Sequence, residues 1–373
     1  MALPSGGGRP ARRLTLGRVA GVPVHVGASW FLVAAVITLG FGPFVQDQVG
    51  TRGPAAYLVS FSFAVLLYVS VLLHEVSHAL TARALGLPVR GITLHFLGGY
   101  TEIERDSPTP GRDFVISAAG PAVSLLVALT TWLVARPVGP DVVAFLLLWL
   151  AFANLLVGLF NLLPALPLDG GHMLRAVLWR ITGDEVRATV VAARAGQVLA
   201  VLVVAVPFVL ARGTPDAFRL VWAVLIAALL WGGATQALGV ARVRSRLPHL
   251  SARRLARRAV PVTGDVPLAE ALRQAEEAGA RALVVVDAGG RPTALVNEAA
   301  VAATPSERRP WVTVGQLARA LGPRSVIPAD LEGEALARAL QAAPAPEYLL
   351  VDSAGAVYGV LAAADVEAAL QTA

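Results

Sequence analysis

Six long apolar runs, separated by short polar segments, fill the first two-thirds of this 373-residue chain. A helix needs about 20 residues to cross the hydrocarbon core of a bilayer, and each run is of that order. Hydrophobic residues make up 56% of the chain and charged residues only 15%, unlike the composition of a soluble protein. We therefore predict a polytopic α-helical membrane domain with six spans, at residues 29–45, 55–85, 114–134, 142–163, 189–210 and 218–240.

The last third of the chain has the charge and turn pattern of a soluble α/β region. Residues 268–287 predict a helix followed by a strand, and residues 334–352 repeat that order. Each copy continues into a turn and a second strand. We therefore expect two parts, a membrane domain at residues 1–245 and a soluble pair of α/β domains at residues 251–373.

Two segments of the membrane domain do not have the pattern of a span. Residues 87–104 are rich in β-branched and aromatic side chains, and we predict two strands joined by a turn at Gly98-Gly99. Residues 17–26 have a similar pattern. Because open strands cannot face lipid, we expect these strands to pair with each other or to line a wet cavity.

The second span contains the sequence His74-Glu75-Val76-Ser77-His78. Residues four apart share one face of a helix, so the two imidazoles can bind one metal ion while the glutamate takes a proton from water. Ionisable groups at membrane depth are costly, which favours a functional role over a structural one. The chain has no cysteine, so thiolate ligands, disulfides and cysteine nucleophiles are excluded.

A hydrolytic zinc site usually has three protein ligands and one open position, so a third ligand must come from elsewhere in the chain. Asp169 is the first candidate, because it follows the fourth span and two prolines that interrupt helical hydrogen bonding. Its structural alternative is a helix cap. His172 and His95 are the next candidates, whereas we interpret Glu102 and Asp113 as solvated loop charges.

Two motifs together resemble the site-2 protease family of intramembrane zinc metalloproteases, peptidase family M50. They are His74-Glu75-x-x-His78 in an early span and Asn161-Leu-Leu-Pro-Ala-Leu-Pro-Leu-Asp169-Gly-Gly-His172 after a later one. The resemblance covers about residues 18–187. It implies one zinc ion per chain. It also implies that Glu75 is the general base and that the metal ligands are His74, His78 and Asp169.

The same resemblance implies substrate-binding roles for Asn161 and for a strand loop, Phe96-Leu97-Gly98-Gly99. The loop of the family is proposed to pair with an extended substrate. The alternative for this segment is a plain hairpin that plugs the site. One position departs from the family pattern, because Ser124 stands in the third span where the family commonly has asparagine.

The C-terminal repeat resembles a pair of CBS motifs, which often bind adenine nucleotides. In the family, the second strand of a copy and the start of the next helix carry a glycine, then a hydroxyl residue and then a carboxylate residue. The second copy keeps Gly359 and Asp365 but has Ala362 at the hydroxyl position, and the first copy keeps neither the glycine nor the carboxylate. We expect a module for packing or homodimerisation, with adenine nucleotide binding as the alternative.

The leading hypothesis is an intramembrane zinc endopeptidase that cleaves transmembrane or membrane-tethered protein substrates, such as an anti-sigma factor, in regulated intramembrane proteolysis modulated by the CBS-like region. A CBS-regulated membrane transporter and an inactive protease-like scaffold are the alternatives. Arg-rich loops alternate with loops that have few arginines, which predicts a multi-pass plasma-membrane protein with both termini in the cytoplasm. The basic residues are all arginine, a codon bias that suggests a bacterial source. They flank the spans, so the net charge of +6 predicts no nucleic-acid partner.

Overall fold

The computed structural model describes residues 14–95, 98–105, 107–139, 141–211, 216–322 and 325–372. The chain divides into two compact units, Met1–Ala241 and Arg242–Ala373.

Among the described residues, seven helices belong to the apolar part of the chain. In chain order they are α1 (Ser29–Val49), α2 (Pro54–Ala84), α3 (Pro110–Ala135), α4 (Val142–Asn161), α5 (Asp169–Thr182), α6 (Glu185–Leu210) and α7 (Ala217–Arg246). All except α5 are long and apolar enough to cross a membrane, which confirms the six predicted spans. The chain is a multi-pass membrane protein.

One polar side chain caps helix α4, and another links α4 to α2. Asp141 caps α4, because its Oδ1 accepts hydrogen bonds of 2.9 Å from the backbone amides of Val143 and Ala144. Asn154 is only 2% exposed and ties α4 to α2, since its Nδ2 donates a 3.1 Å hydrogen bond to Ser70 Oγ. A polar contact between helices in an apolar surrounding helps to fix their relative position.

A four-stranded sheet accompanies these helices, as the sequence predicted. Its strands lie in the order β1 (Leu14–Val19), β2 (Val22–Val26), β3 (Val89–His95) and β4 (Gly98–Ile103). The β1–β2 and β3–β4 pairs are antiparallel, whereas β2 and β3 run parallel. One face of the sheet packs Val24, Ile92 and Leu94 against Ala79 of α2. Strand β4 forms an edge of the sheet beside α2.

The predicted turn at Gly98-Gly99 is wrong in position, because both glycines belong to β4. Gly99 is required there by a close approach rather than by a turn. A Cβ atom at Gly99 would lie 2.5 Å from Glu75 Cγ and 2.9 Å from Leu94 Cδ2. The absence of a side chain therefore lets the edge strand pass directly over Glu75.

The second unit contains a β-α-β-β arrangement that occurs twice. Its elements are α8 (Ala252–Leu255), β5 (Ala259–Thr263), α9 (Leu268–Glu277), β6 (Ala282–Val286), β7 (Pro292–Val296), α10 (Glu298–Ala303), β8 (Ala318–Ala320), β9 (Val326–Pro328), α11 (Gly333–Ala342), β10 (Glu347–Val351), β11 (Val357–Ala362) and α12 (Ala363–Thr372). In each copy the first two strands pair in parallel and the third pairs antiparallel to the second. The second unit is therefore the soluble α/β, CBS-like pair that the sequence predicted.

Each copy has its own apolar core. Leu268, Leu283 and Val314 lie in the first core, and Leu336 and Leu350 lie in the second. A third cluster joins the copies, because it draws Val284 and Leu295 from the first and Leu349 and Val360 from the second. The two copies thus bury apolar surface against each other, as intramolecular repeats do.

Candidate active site

His74, His78 and Asp169 come together in the first unit, and each offers one ligand atom within 4.8 Å of those of the other two. The Nε2 atoms of the two histidines lie 3.2 Å apart. Asp169 Oδ2 lies 3.1 Å from His74 Nε2, and its Oδ1 lies 3.4 Å from His78 Nε2. Both histidines are less than 10% exposed. Two residues from one helix turn therefore meet a third that is 91 positions or more away in the sequence.

These distances fit a zinc ion. Tetrahedral zinc binds nitrogen and oxygen ligands at about 2.0–2.1 Å, which separates neighbouring ligand atoms by about 3.3 Å. The observed separations of 3.1, 3.2 and 3.4 Å are close to that value. Two imidazoles and one carboxylate also form a ligand set typical of hydrolytic zinc sites, with one position left for water.

Residues of helix α3 form hydrogen bonds with the Nδ1 atoms of both imidazole rings. His78 Nδ1 donates a 2.7 Å hydrogen bond to the Ile116 carbonyl, so its Nε2 is the nitrogen left with a lone pair. His74 Nδ1 shares a 2.9 Å hydrogen bond with Ser124 Oγ. Ser124, which departs from the family pattern, is thus still a polar partner for the ring.

Gly120 lies between these two contacts on α3. A Cβ atom there would lie under 3.0 Å from the Nε2 atoms of both His74 and His78. A side chain at Gly120 would therefore fill the space next to these two Nε2 atoms. The missing side chain leaves room for an ion.

Glu75 lies beside the cluster and is only 7% exposed. Thr101 of the edge strand β4 holds it, because Thr101 Oγ1 lies 2.9 Å from Glu75 Oε2 and 3.0 Å from the Glu75 carbonyl oxygen. With Gly99 packed against the Glu75 stem, β4 fixes this side chain at two points. The carboxylate is therefore held next to the histidines in one orientation.

Asp169 is the first residue of α5, near where a capping residue would lie, but no side-chain capping hydrogen bond is present at this end of the helix. Its carboxylate oxygens contact the imidazoles instead of the first amides of α5. Gly170 and Gly171 allow this placement, because a Cβ atom on either would collide with backbone of residues 162–166. Burial acts to raise the pKa of Asp169, but the hydrogen bonds to His74 and His78 outweigh it and hold that pKa well below its usual value.

A cavity of about 360 Å³ opens beside the cluster and is lined by Glu75, His78, Thr101 and Asp169. Asp113 and Arg175 also line it. The interpretation of Asp113 as a solvated loop charge is wrong, because Asp113 is 8% exposed and forms a forked ion pair with Arg175. A carboxylate near the start of a helix can be buried when a guanidinium matches both of its oxygens.

The other candidate residues lie outside the ligand cluster. His172 lines the cavity, and His95 stacks on Tyr100 with ring centroids 5.5 Å apart. Glu102 is half-buried and pairs with Arg90 at 3.1 Å. Asn161, the last residue of α4, is half-buried and is not among the described residues that line the cavity. Phe96 and Leu97 of the strand loop lie outside the described residues.

Several contacts of the site were not predicted from the sequence. Thr101 contacts Glu75, Ile116 contacts His78, and Gly120 lies against both histidines. These contacts arise from the packing of separate elements, which the sequence does not show. One signal was available, since α3 carries small or polar residues at helical spacing in an apolar run, namely Asp113, Ser117, Gly120 and Ser124. This spacing marks the face of α3 that meets the two histidines.

A second charged cluster lies in the second unit. The Arg257 guanidinium binds Asp365 through Nε at 2.7 Å and Nη2 at 2.8 Å, and its Nη1 contacts Glu298. Hydrogen bonds to Asp365 and then to Glu298 raise the pKa of Arg257 above its ordinary value. Gly359 packs on the Arg257 carbonyl, where a Cβ atom would collide. Both residues that the second copy keeps of the nucleotide pattern are thus engaged by Arg257.

The chain is similar to known metalloproteases. Residues 62–143 and 136–204 match the model of peptidase family M50. A candidate zinc metalloprotease of Synechocystis is 28% identical over 384 residues, which cover 100% of this chain and 99% of that protein. Rip3, a candidate zinc metalloprotease of Mycobacterium tuberculosis, is 41% identical over 197 residues, which cover 52% of this chain and 50% of Rip3.

Two solved structures resemble the two parts of the chain. The site-2 protease from Methanocaldococcus jannaschii is 27% identical, with a TM-score of 0.45, and covers 61% of this chain and 95% of its own. The CBS domain of a bacterial CNNM/CorC family Mg²⁺ transporter is 14% identical, with a TM-score of 0.28, and covers 39% of this chain and 93% of its own. The family model and the metalloprotease relatives identify the chain as a metalloprotease hydrolase, for which zinc is the implied metal. Over residues 62–204 the chain is similar to peptidase family M50.

Proposed function

We propose that this chain is an intramembrane zinc endopeptidase in which His74, His78 and Asp169 bind one zinc ion and Glu75 is the general base. The observation that carries the proposal is the ligand geometry. The two imidazole Nε2 atoms lie 3.2 Å apart, each lies 3.1 or 3.4 Å from one oxygen of the Asp169 carboxylate, and the buried Glu75 carboxylate lies beside them. Two of the residues belong to a helix that is long and apolar enough to cross a membrane.

The residues around the cluster have separate tasks in this proposal. A bound zinc ion supplies Lewis acidity, which makes water more acidic and polarises a peptide carbonyl. Glu75 takes the proton from the attacking water on a carboxylate oxygen and delivers it to the leaving amine. Thr101 holds Glu75 Oε2 in place, and Ile116 and Ser124 keep the imidazole rings turned toward the ligand point. The protein has therefore ordered its own groups before a substrate arrives.

The edge strand β4 suggests how a membrane-spanning substrate binds. A helical substrate has its carbonyls engaged in hydrogen bonds and must unwind before hydrolysis. Gly99, Tyr100 and Thr101 of β4 line the cavity, and β4 is an edge of the sheet, so an extended segment could add to it by backbone hydrogen bonds. Gly98, Gly99 and Asn161 are the residues that we assign to substrate binding. We expect the substrate to be a transmembrane or membrane-tethered protein, such as an anti-sigma factor, cleaved in regulated intramembrane proteolysis.

The CBS-like unit is the proposed regulatory part. We expect it to act by pairing with a second copy or a partner, because Arg257 already engages Gly359 and Asp365. A regulator shifts activity only if it binds two conformations unequally, so pairing must favour one of them. The arginine distribution along the sequence supports a cytoplasmic location for this unit and for both termini.

The test of the function is Glu75→Gln, which keeps the size of the side chain and cannot accept the proton. We expect zinc content to remain near that of the wild type while cleavage falls by about 100-fold or more, as general acid–base loss predicts. The readout is a proteomic comparison of membrane-protein fragments from cells that carry either form.

The matched control is Glu104→Gln, which makes the same chemical change at an exposed carboxylate. This variant should give the wild-type fragment pattern. A Glu75→Gln pattern identical to that of the wild type would contradict the assignment of the base, and a wild-type pattern identical to that of cells lacking the protein would contradict the protease function.

A further inference from the structure

A buried ion pair lies on the cavity wall and takes no part in the hydrolysis described above. Arg175 Nη2 lies 2.7 Å from both carboxylate oxygens of Asp113, and Arg175 Nε lies 3.2 Å from Oδ2. The side chains are only 17% and 12% exposed. A forked guanidinium–carboxylate contact fixes orientation as well as distance. The pair therefore locks the two helices that carry it, α3 and α5, in one relative position.

Each helix also carries part of the ligand arrangement. On α3, Ile116 lies one turn after Asp113 and accepts the hydrogen bond that orients His78. Gly120 and Ser124 continue the same face next to His74. This face therefore sets where both imidazole nitrogens lie.

On α5, Asp169 is the first residue and Arg175 lies six positions later, and both line the same cavity. Asp169 itself makes no hydrogen bond to α3 among the contacts described; its oxygens contact only the imidazoles. Among the described side-chain hydrogen bonds and ion pairs, the Arg175–Asp113 pair links α5 back to α3 in this region, where the two helices also pack against each other.

We propose that Arg175 and Asp113 are positioning residues that set the distance of Asp169 from His74 and His78. This inference rests on the proposed function, because it assumes that Asp169 is a metal ligand. The rival explanation for the position of Asp169 is the close backbone packing of Gly170 and Gly171, which needs no ion pair. The two explanations predict different zinc affinities when the pair is removed.

The first experiment measures zinc affinity by chelator competition, and thermal unfolding by circular dichroism, on the purified full-length protein. Arg175→Gln should lower zinc affinity by about 10- to 100-fold, the usual effect of losing a group that orients a metal ligand. Arg187→Gln is the matched control, since Arg187 forms an exposed ion pair with Asp184. It should bind zinc like the wild type.

A double variant separates positioning from folding stability. Asp113→Leu with Arg175→Met removes both charges at once, and such apolar replacements of buried ion pairs often restore stability. We expect the unfolding midpoint to recover while zinc affinity stays low. Recovery of zinc affinity together with stability would overturn the proposal, because the pair would then serve only the fold.

The closing experiment is a double-mutant cycle of Arg175→Gln with Asp169→Ala. If Arg175 acts through Asp169, Arg175→Gln lowers zinc affinity in the wild-type background and changes it less than twofold in the Asp169→Ala background. Equal losses in both backgrounds would overturn the positioning role and leave the ligand assignment intact. Unchanged zinc affinity in Asp169→Ala alone would instead overturn the ligand assignment and the inference with it.

Discussion

Thr101 Oγ1 lies 2.9 Å from Glu75 Oε2, so the edge strand of the sheet holds the proposed base of the site. A hydrogen bond to a charged group contributes about 1.5–3 kcal/mol. We therefore expect Thr101→Val, which keeps the shape and removes the hydroxyl, to lower the cleavage rate by about tenfold or more. Thr101→Ser keeps the hydroxyl and should stay near the wild-type rate. Equal rates for Thr101→Val and the wild type would show that Glu75 does not need this contact.

Gly120 provides a test of the space at the ligand point. Gly120→Ala places a methyl group against the Nε2 atoms of His74 and His78, so we expect most bound zinc to be lost. Gly111→Ala is the control on the same helix, because nothing lies within 4 Å of a Cβ atom there. The measurement is zinc per chain by elemental analysis. Full zinc content in Gly120→Ala would contradict the position of the ion.

The orientation of the six spans is tested with reporter fusions. A reporter fused after Val240 should lie in the cytoplasm, and one inserted in the segment 212–219 should lie on the opposite side, because Arg-rich loops are expected on the cytoplasmic side of a membrane. Activity of enzymatic reporters that work on only one side of the membrane gives the answer. The same sidedness at both points would break the proposed topology.

Because of the contacts that Arg257 makes, we expect the CBS-like unit to bind nucleotides weakly. Its guanidinium engages Asp365, and its carbonyl packs against Gly359, so both retained residues of the nucleotide pattern have internal partners. Calorimetry of the unit Arg242–Ala373 with ATP, ADP and AMP should show no binding at micromolar concentration. Its mass in solution should be that of a dimer. Micromolar binding by a monomeric unit would favour a nucleotide sensor instead.

The clustering of the two histidines with Asp169 could be predicted from the sequence because short motifs report local spacing and helix breaks. The spans and strands could be predicted because apolar length and β-branched runs are local properties. Asp113 shows where this approach fails. Its burial depends on Arg175, 62 positions away, and the spacing of polar residues on α3 does not reveal that partner.

Gly98 and Gly99 illustrate the same limit. A glycine pair usually marks a turn, but here Gly99 is in a strand because Glu75 of a different element passes against it. The role of Thr101 is hidden for the same reason. Contacts between distant segments, rather than secondary structure, were therefore the unpredictable part of the site.

The most direct test of the account is zinc per chain in the purified full-length protein and in three single variants, His74→Ala, Asp169→Ala and His172→Ala. We expect about one zinc per chain in the wild type and in His172→Ala, and strong loss in the other two. His172 lines the cavity but lies outside the ligand cluster, which makes it the sharpest comparison. Loss of zinc in His172→Ala with retention in Asp169→Ala would contradict the proposed metal centre.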